Sequence, residues 1–378
     1  MKLRLSPSAR ATSGCIVALA PIIAVLLAFV AGAILLLILG ADPIKAYATM
    51  IDGAFGNQAG IFRTLTRATP LLIIAIGICI AFRGGVINIG AEGQVFIGGI
   101  AAAAFSLGAG STLPGFLLAP LTLIVGFLGG AIWGAIPGFL KARFDVNEIL
   151  STVMMNEIAG QVLLFLLAGP LLDPAQIAAG TRIPQTDQIP DGAFLARLAP
   201  PSQLNIGLFI GLVMAILVYV LLWRTTIGYR IRAVGLNKDA SRYAGISVPR
   251  YVMLALVLSG GLAGLAGAIE LTGINHRVVE GFTVGYGFSG IVVALFGRLH
   301  PIGAIPSAFL FGALLVGADK MQRTMQIPSA TVTALEGLIV IFVVGSDFFV
   351  RRYNTRRKAR EVASIMPEIT QTSPEATV

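Results

Sequence analysis

Apolar residues along this chain gather into blocks separated by short polar turns, at about residues 14–40, 68–82, 87–107, 116–140, 146–168, 204–223, 251–271, 286–296, 302–318 and 331–350. Most approach the roughly 20 residues that a helix needs to cross a hydrocarbon core about 30 Å thick, and the pattern lacks the short alternating segments of a membrane-spanning barrel. It predicts an all-α, polytopic membrane protein with about ten transmembrane helices, some of them broken. The first run, residues 14–40, exceeds the apolar stretch of a secretory signal, about 7–15 residues, and reads as an uncleaved first span. Residues 42–60 are mixed and faintly amphipathic.

Composition agrees. Of the 378 residues 56% are hydrophobic and only 12% charged, with a mean hydropathy of +0.87, whereas a soluble domain carries about 25% charged residues. The net charge of +9 does not imply a nucleic-acid partner, because the basic residues sit at the chain ends and in short loops, the positive-inside arrangement. Lys2, Arg4 and Arg10 precede the first block, Lys141 and Arg143 follow the fourth, and Arg224, Arg230, Arg232, Lys238, Arg242 and Arg250 separate the sixth from the seventh. Arg298 follows the eighth, and Arg351, Arg352, Arg356, Arg357, Lys358 and Arg360 follow the last.

Starting inside and reversing side at each span puts every one of these clusters in the cytoplasm. The proline-rich stretch 169–203, which sets Asp173, Asp187 and Asp191 against Arg182 and Arg197, then falls outside. The expected organisation is a cytoplasmic segment 1–13, a transmembrane domain 14–350 with an extracytoplasmic loop at 169–203 and a cytoplasmic loop at 224–250, and a disordered cytoplasmic tail 351–378. Cys15 and Cys79 lie in apolar blocks and offer neither a disulfide framework nor a metal-ligand spacing.

Two glycine-containing breaks, Arg83-Gly84-Gly85 and Gly297-Arg298-Leu299-His300-Pro301, each separate a pair of spans. Such matched interruptions hint at an internal repeat and at broken helices beside a translocation path. The first break leads into Asn88-Ile89-Gly90-Ala91-Glu92-Gly93-Gln94. A carboxylate at the bilayer centre costs about 2.5–3.5 kcal/mol on insertion scales, so Glu92 should face the bundle interior or a watery cavity. Asn88, Glu92 and Gln94 are candidates for a solute path, and Glu92 and Gln94 equally for pinning the broken helix through its freed backbone groups; the two roles are compatible.

Asn147, Glu148, Ser151, Thr152, Asn156 and Glu157 enter the fifth span. Bonding to neighbouring helices is the favoured reading for them, with Asn156 kept as a path candidate. Glu270, Asn275, His276 and Glu280 cluster at the outer end of the seventh span. In the stretch Gly281 to Gly290 that follows, Phe282, Tyr286 and Phe288 can stack on a planar or sugar-like solute, although interface anchoring is the commoner use of such aromatics. Phe288 and Ser289 complete the path candidates.

His276 and His300 are the two histidines, expected on opposite sides, and HExxH, GxSxG and CxxC are missing from the sequence; no catalytic or metal site is expected. A phosphate-binding GxxxxGKS/T is missing too. Leu258-Ser259-Gly260-Gly261 echoes an ATPase signature but lies inside an apolar span, where it reads as small-residue helix packing.

Within the basic loop Gly228 to Ile246, the string Asp239-Ala240-Ser241-x-x-x-Gly245 resembles the Glu-Ala-Ala-x-x-x-Gly coupling segment of bacterial ABC-importer permeases, with Asp for Glu and Ser for Ala. Together with the Asn88 to Gln94 string and the run Gly287 to Gly297, it is similar to the nucleoside and simple-sugar group of the branched-chain amino acid and ribose permease family. That resemblance covers most of residues 14–350.

It implies a multi-pass permease subunit of the bacterial inner membrane that moves a nucleoside or simple sugar by alternating access. The chain itself would bind no cofactor; ATP would be used by a separate ABC ATPase subunit. Further implied partners are a second, non-identical permease, an extracytoplasmic solute-binding protein and membrane lipid. Asp239, Ala240, Ser241, Arg242 and Gly245 would dock on the ATPase, since a short helix of small residues can enter a partner's groove and flanking arginines can fix its register. The alternatives are an ion-gradient-driven secondary transporter or channel, for which few intramembrane charges beyond Glu92 are on offer, and a purely structural subunit that pairs with a transporting partner.

Overall fold

A computed structural model describes residues 26–38, 40–181, 183–283 and 285–327, with isolated positions at 23 and between 334 and 345. The basic clusters at both chain ends, Cys15, most of the last apolar block and the tail 351–378 lie outside the described residues.

Among the described residues every regular element is helical. In chain order these are α1 (Leu26–Ile38), α2 (Pro43–Phe55), α3 (Gln58–Arg83), α4 (Ala91–Ala109), α5 (Gly115–Phe144), α6 (Glu148–Ala168), α7 (Pro174–Ala178), α8 (Gly207–Arg224), α9 (Thr226–Leu236), α10 (Lys238–Tyr243), α11 (Val248–Glu270), α12 (Tyr286–Phe296) and α13 (Pro301–Met325). A π turn, Leu271–Asn275, prolongs α11. Seven of them, α3, α4, α5, α6, α8, α11 with its π turn and α13, are long and apolar enough to cross a membrane, and the bent pair α1–α2 makes at most eight. Among the described residues the count is thus lower than the expected ten, the last apolar block lying largely outside them. With eleven residues, α12 is about 16 Å long, half of what a crossing needs, because hydropathy reports the composition of a block and not its depth.

The mixed stretch 42–60 also proves to be structured, as α2 and the start of α3. Helix α3 begins well before its apolar block at a cap, Asn57, whose Oδ1 accepts from Gly60 N–H at 2.7 Å, and its early hydroxyls turn back onto the helix: Thr66 donates to the Phe62 carbonyl at 2.8 Å and Thr69 to that of Leu65 at 2.9 Å. Such back-bonding hides polar groups from an apolar surround.

The chain divides into two compact units, Tyr47–Met321 and a smaller one of Met1–Ala46 with Gln322–Val378. In the smaller, α1 buries Ala28 and Leu36 and exposes Leu26, Val30, Ile34, Leu37 and Ile38. The larger is built around α11, on which α3, α4 and α5 pack. Glycines let these backbones touch, as small residues do where lipid offers no hydrophobic drive for association. A Cβ on Gly98 of α4 would stand 2.2 Å from the Gly264 Cα, and one on Gly260 would stand 2.4 Å from the Gly130 carbonyl oxygen of α5. The ATPase-like string at Leu258 is thus helix packing. At the rim, Phe116, Ile132, Phe165 and Ile216 are exposed apolar side chains, as expected of a lipid-facing surface.

Two ends of the larger unit differ. At one, the 169–206 loop lies across the π turn, with Leu195 N–H on the Thr272 carbonyl at 3.0 Å and Ile189 N–H on the His276 carbonyl at 2.9 Å. At the other stand α9, α10 and the α5–α6 turn, where Lys141 bridges Asp145 (2.7 Å) and Glu148 (3.1 Å).

Candidate functional site

Helix α4 starts inside the bundle. After α3 ends at Arg83, Gly85 takes a left-handed φ of +73° and the chain runs irregularly to Gly90, with Asn88 fully buried on the way. Irregular backbone at membrane depth is tolerated only where protein satisfies its polar groups, and the motif does so. Asn88 Nδ2 donates to Gln94 Oε1 and to Ser259 Oγ of α11, both at 2.9 Å, while its Oδ1 accepts from Gly90 N–H at 3.0 Å and from Gln94 Nε2 at 3.3 Å. Asn156 of α6 accepts from Gly93 N–H at 2.8 Å and donates to the Ile89 carbonyl at 3.0 Å. Thr152 Oγ1 accepts from Ile89 N–H at 3.3 Å. The helix-bonding role considered for Thr152 and Asn156 is present in this lattice, whereas Gln94 meets the break through the Asn88 side chain and not, as expected, through freed backbone groups. Glu157, by contrast, is exposed.

Glu92 sits in the first turn of α4 and faces the start of α12. Gly287 N–H donates to its Oε2 at 2.6 Å and the Thr283 hydroxyl donates to Oε1. The carboxylate therefore lies between two helix N-termini, whose free N–H groups and dipoles favour negative charge. Position 287 must be glycine for this approach, since a Cβ there would meet Glu92 N at 2.2 Å.

Helix α12 begins at this depth because residues 276–283 come down as irregular chain from the 169–206 loop, where Val278 N–H bonds the Thr186 hydroxyl at 3.0 Å. Phe282 packs on Gly99 and Phe96 along that way, and Tyr286 accepts a hydrogen bond from Arg67. Both are buried, so they are core residues and not the interface anchors expected of them. Phe288 is 51% exposed and Ser289 partly so, on the open side of α12.

Sequence reasoning grouped Glu270 with Asn275 and His276 but missed Arg67 and Asp319 beside them. Arg67 of α3, besides bonding Tyr286, lies 3.9 Å from Asp319 of α13 and within electrostatic reach of the buried Glu270. Glu270 Oε1 accepts from Asn275 Nδ2 at 3.4 Å, and Oε2 has no hydrogen-bond partner. Arg67 and Asp319 each stand at the edge of a separate apolar block; that was the one signal in the sequence, and only the packing of α3, α11 and α13 joins them. Nearby, His276 stacks on Phe194 at 3.8 Å with both ring nitrogens unbonded. Burial, reinforced by Arg197 and opposed by Asp191, pushes its pKa down. His300 lies at the opposite end beside Trp223, so the two histidines are as far apart as expected.

The basic loop is helical. Thr225 caps α9 and Asn237 caps α10, accepting from Ala240 N–H at 2.9 Å, and Gly245 closes α10 with φ +75°. Ser241 points inward and is buried, whereas Asp239, Ala240, Arg242 and Gly245 are exposed, with Asp239 and Arg242 paired at 3.6 Å. Beside them Leu236 is 87% and Tyr243 96% exposed. The pair is braced from below: Arg230 donates to the Tyr251 hydroxyl of α11 at 2.8 Å, and Gly235 touches the Gly85 backbone.

A many-helix membrane bundle with helices broken at a buried carboxylate and a small helical platform at one end is the architecture of a solute permease. The chain belongs to the family described as branched-chain amino acid transport system / permease component, which matches residues 60–344. It is similar to the guanosine ABC transporter permease protein NupP of Bacillus subtilis, 35% identical over 87% of this chain and 93% of that protein. It is similar also to the nucleoside ABC transporter permease protein NupB of Lactococcus lactis, 35% identical over 86% and 90%, and to a glucose ABC transporter permease protein of Haloferax volcanii, 31% identical over 88% of each. The protein is thus the permease component of an ABC transporter, a transport subunit and not an enzyme.

Proposed function

We propose that this permease imports a nucleoside, with simple sugars as the second substrate class, across the inner membrane by alternating access driven by a separate ATPase. The observation that carries the ATP-driven reading is the α9–α10 platform: exposed Leu236, Ala240 and Tyr243 stand on helices braced against α3 and α11, as a lever for a partner must. Asp239, Ala240, Arg242 and Gly245 would meet the ATPase and Ser241 would hold the helix down. The solute would pass the open side of α12, with Phe288 stacking on a base or sugar face and Ser289 and Glu92 supplying polar contacts, while Asn88, Gln94 and Asn156 hold the break that positions Glu92.

Nucleosides come first because two relatives named for guanosine or nucleosides are closer in identity than the glucose relative. A second, non-identical permease partner is supported by the paired relatives of single organisms, NupP with NupQ and NupB with NupC, the second of each pair 28–29% identical to this chain. A solute-binding protein outside and ATPases inside would complete the assembly.

Purification of the tagged chain in mild detergent, followed by reconstitution and uptake assays, tests the proposal. A P-loop ATPase should co-purify, and labelled guanosine should enter vesicles only with ATP and regardless of a protonophore. Uptake without ATP that a protonophore abolishes would establish the gradient-driven alternative.

A further inference from the structure

The turn between α12 and α13 holds two consecutive non-glycine residues in left-handed backbone, Arg298 at φ +56° and Leu299 at φ +52°. An L-residue resists this conformation, and two in succession persist only when their surroundings impose it. Arg83 imposes it. From the last turn of α3 its Nε donates to the Leu299 carbonyl at 3.0 Å and its Nη2 to the Arg298 carbonyl at 3.3 Å, so one planar guanidinium caps both strained residues.

The same guanidinium lies 5.6 Å from the ring centre of Trp223 at the end of α8. Arg232 of α9 stands equally at 5.6 Å from that indole and donates to the Leu222 carbonyl at 2.9 Å. His300, which follows the strained pair, packs on Trp223 at 4.8 Å and on Tyr219 at 5.5 Å, while Tyr219 stacks on Trp223 at 5.4 Å. Gly235, at the end of α9, leaves no room for a side chain, since a Cβ there would meet the Arg83 carbonyl oxygen at 2.1 Å. Trp223 is therefore a shared neighbour of the platform, of α3 and of the α12–α13 turn, and the two glycine-containing breaks of the sequence form one joint.

We infer that Arg83 and Trp223 are positioning residues of the transport cycle, which carry displacement of α9–α10 into α12. Arg232 is bonded to the Leu222 carbonyl next to Trp223, so its movement draws on the end of α8 and, through the indole, on Arg83. When Arg83 leaves the two carbonyls, the strained pair relaxes and re-aims α12; a bistable backbone of this kind turns a small shift into a discrete one. At its far end α12 holds Glu92 through Gly287 and presents Phe288. The inference rests on the ATP-driven reading for the source of the movement.

The test uses the complete transporter, with both permeases, the ATPases and the binding protein, in liposomes, and reads solute taken up per ATP hydrolysed. Arg83→Lys keeps the charge but cannot fork onto two carbonyls. It should leave co-purification and basal ATP hydrolysis in place and lower uptake per ATP at least about fivefold, the small end of a typical coupling between sites. Trp223→Leu should do the same, and Trp223→Phe, which keeps an aromatic face, should restore most of the coupling; Trp223→Leu decides the matter should Arg83→Lys fail to assemble. Unchanged uptake per ATP in these variants, beside a coupled parent protein, would overturn the joint alone. A parent complex without ATP-dependent uptake would overturn the importer reading and the joint with it.

Discussion

Glu92 offers a substitution that separates charge from shape. Glutamine fits the same space, but its amide places a donor where Gly287 N–H or the Thr283 hydroxyl already donates. A hydrogen bond to a charged group is worth about 1.5–3 kcal/mol, so Glu92→Gln should cut solute uptake at least about tenfold with ATPase binding intact; unaltered uptake would remove Glu92 from the path. His300 offers a pH readout. Burial and the neighbouring Arg83 hold its pKa below the ordinary imidazole value, about 6.5. It is therefore neutral at pH 7, facing Arg83 from α3, Tyr219 and Trp223 from α8, and Arg232 of α9 across the indole. As pH falls an unfolded chain takes up the proton first, so the stability His300 contributes is full above about 6.5 and is lost on acidification from there toward its lower folded-state value. Trp133 and Trp223 are the two tryptophans. In a Trp133→Phe background, Trp223 emission should fall with a midpoint below about 6.5, and His300→Gln should abolish that transition. Asn88, Glu92, Gln94 and Asn156 were legible as sites because polar groups in apolar blocks need partners. Their partners Ser259, Thr283 and Gly287 were not, lying 171, 191 and 195 residues along the chain from Asn88 or Glu92.

For helices, close backbone contact is the controlling feature. Gly264 of α11 lies against both Gly98 and Gly130, whereas a Cβ on Gly160 of α6 would meet nothing within 4 Å. Gly264→Leu should therefore eliminate the monodisperse peak in size-exclusion chromatography, and Gly160→Leu should retain it. The α10 platform predicts the opposite kind of variant. Leu236 and Tyr243 are almost wholly exposed, so a Leu236→Asp, Tyr243→Asp double variant should keep the parent melting temperature. It should nonetheless lose ATPase co-purification, since two apolar side chains buried at an interface contribute about 3–6 kcal/mol. Helices α4, α5, α6, α8 and α11 follow their apolar blocks to within a few residues. The early start of α3 and the short α12 did not show in the pattern, because hydroxyls bonded back to their own helix look polar in sequence, and a half-crossing looks as apolar as a full one.

For the whole molecule, an exposed aromatic beside a partly exposed hydroxyl on α12 makes sense when another surface completes the path. Native mass spectrometry of the purified transporter should find one copy of this chain with one copy of a different permease; two copies of this chain would overturn the heterodimer. Expressed without that partner, the chain should bind ATPase and transport nothing.

Membrane class, helical architecture and family were determined by the sequence, because hydropathy, spacing and short motifs are properties of the chain read in one dimension. Tertiary structure alone decided that Glu92 lies between two helix N-termini, that Phe282 and Tyr286 are core, that Arg67 meets Asp319, and that two distant breaks share Arg83 and Trp223. The reason is physical: these side chains take whichever partners the packing of distant helices brings beside them, and no local pattern encodes which those are.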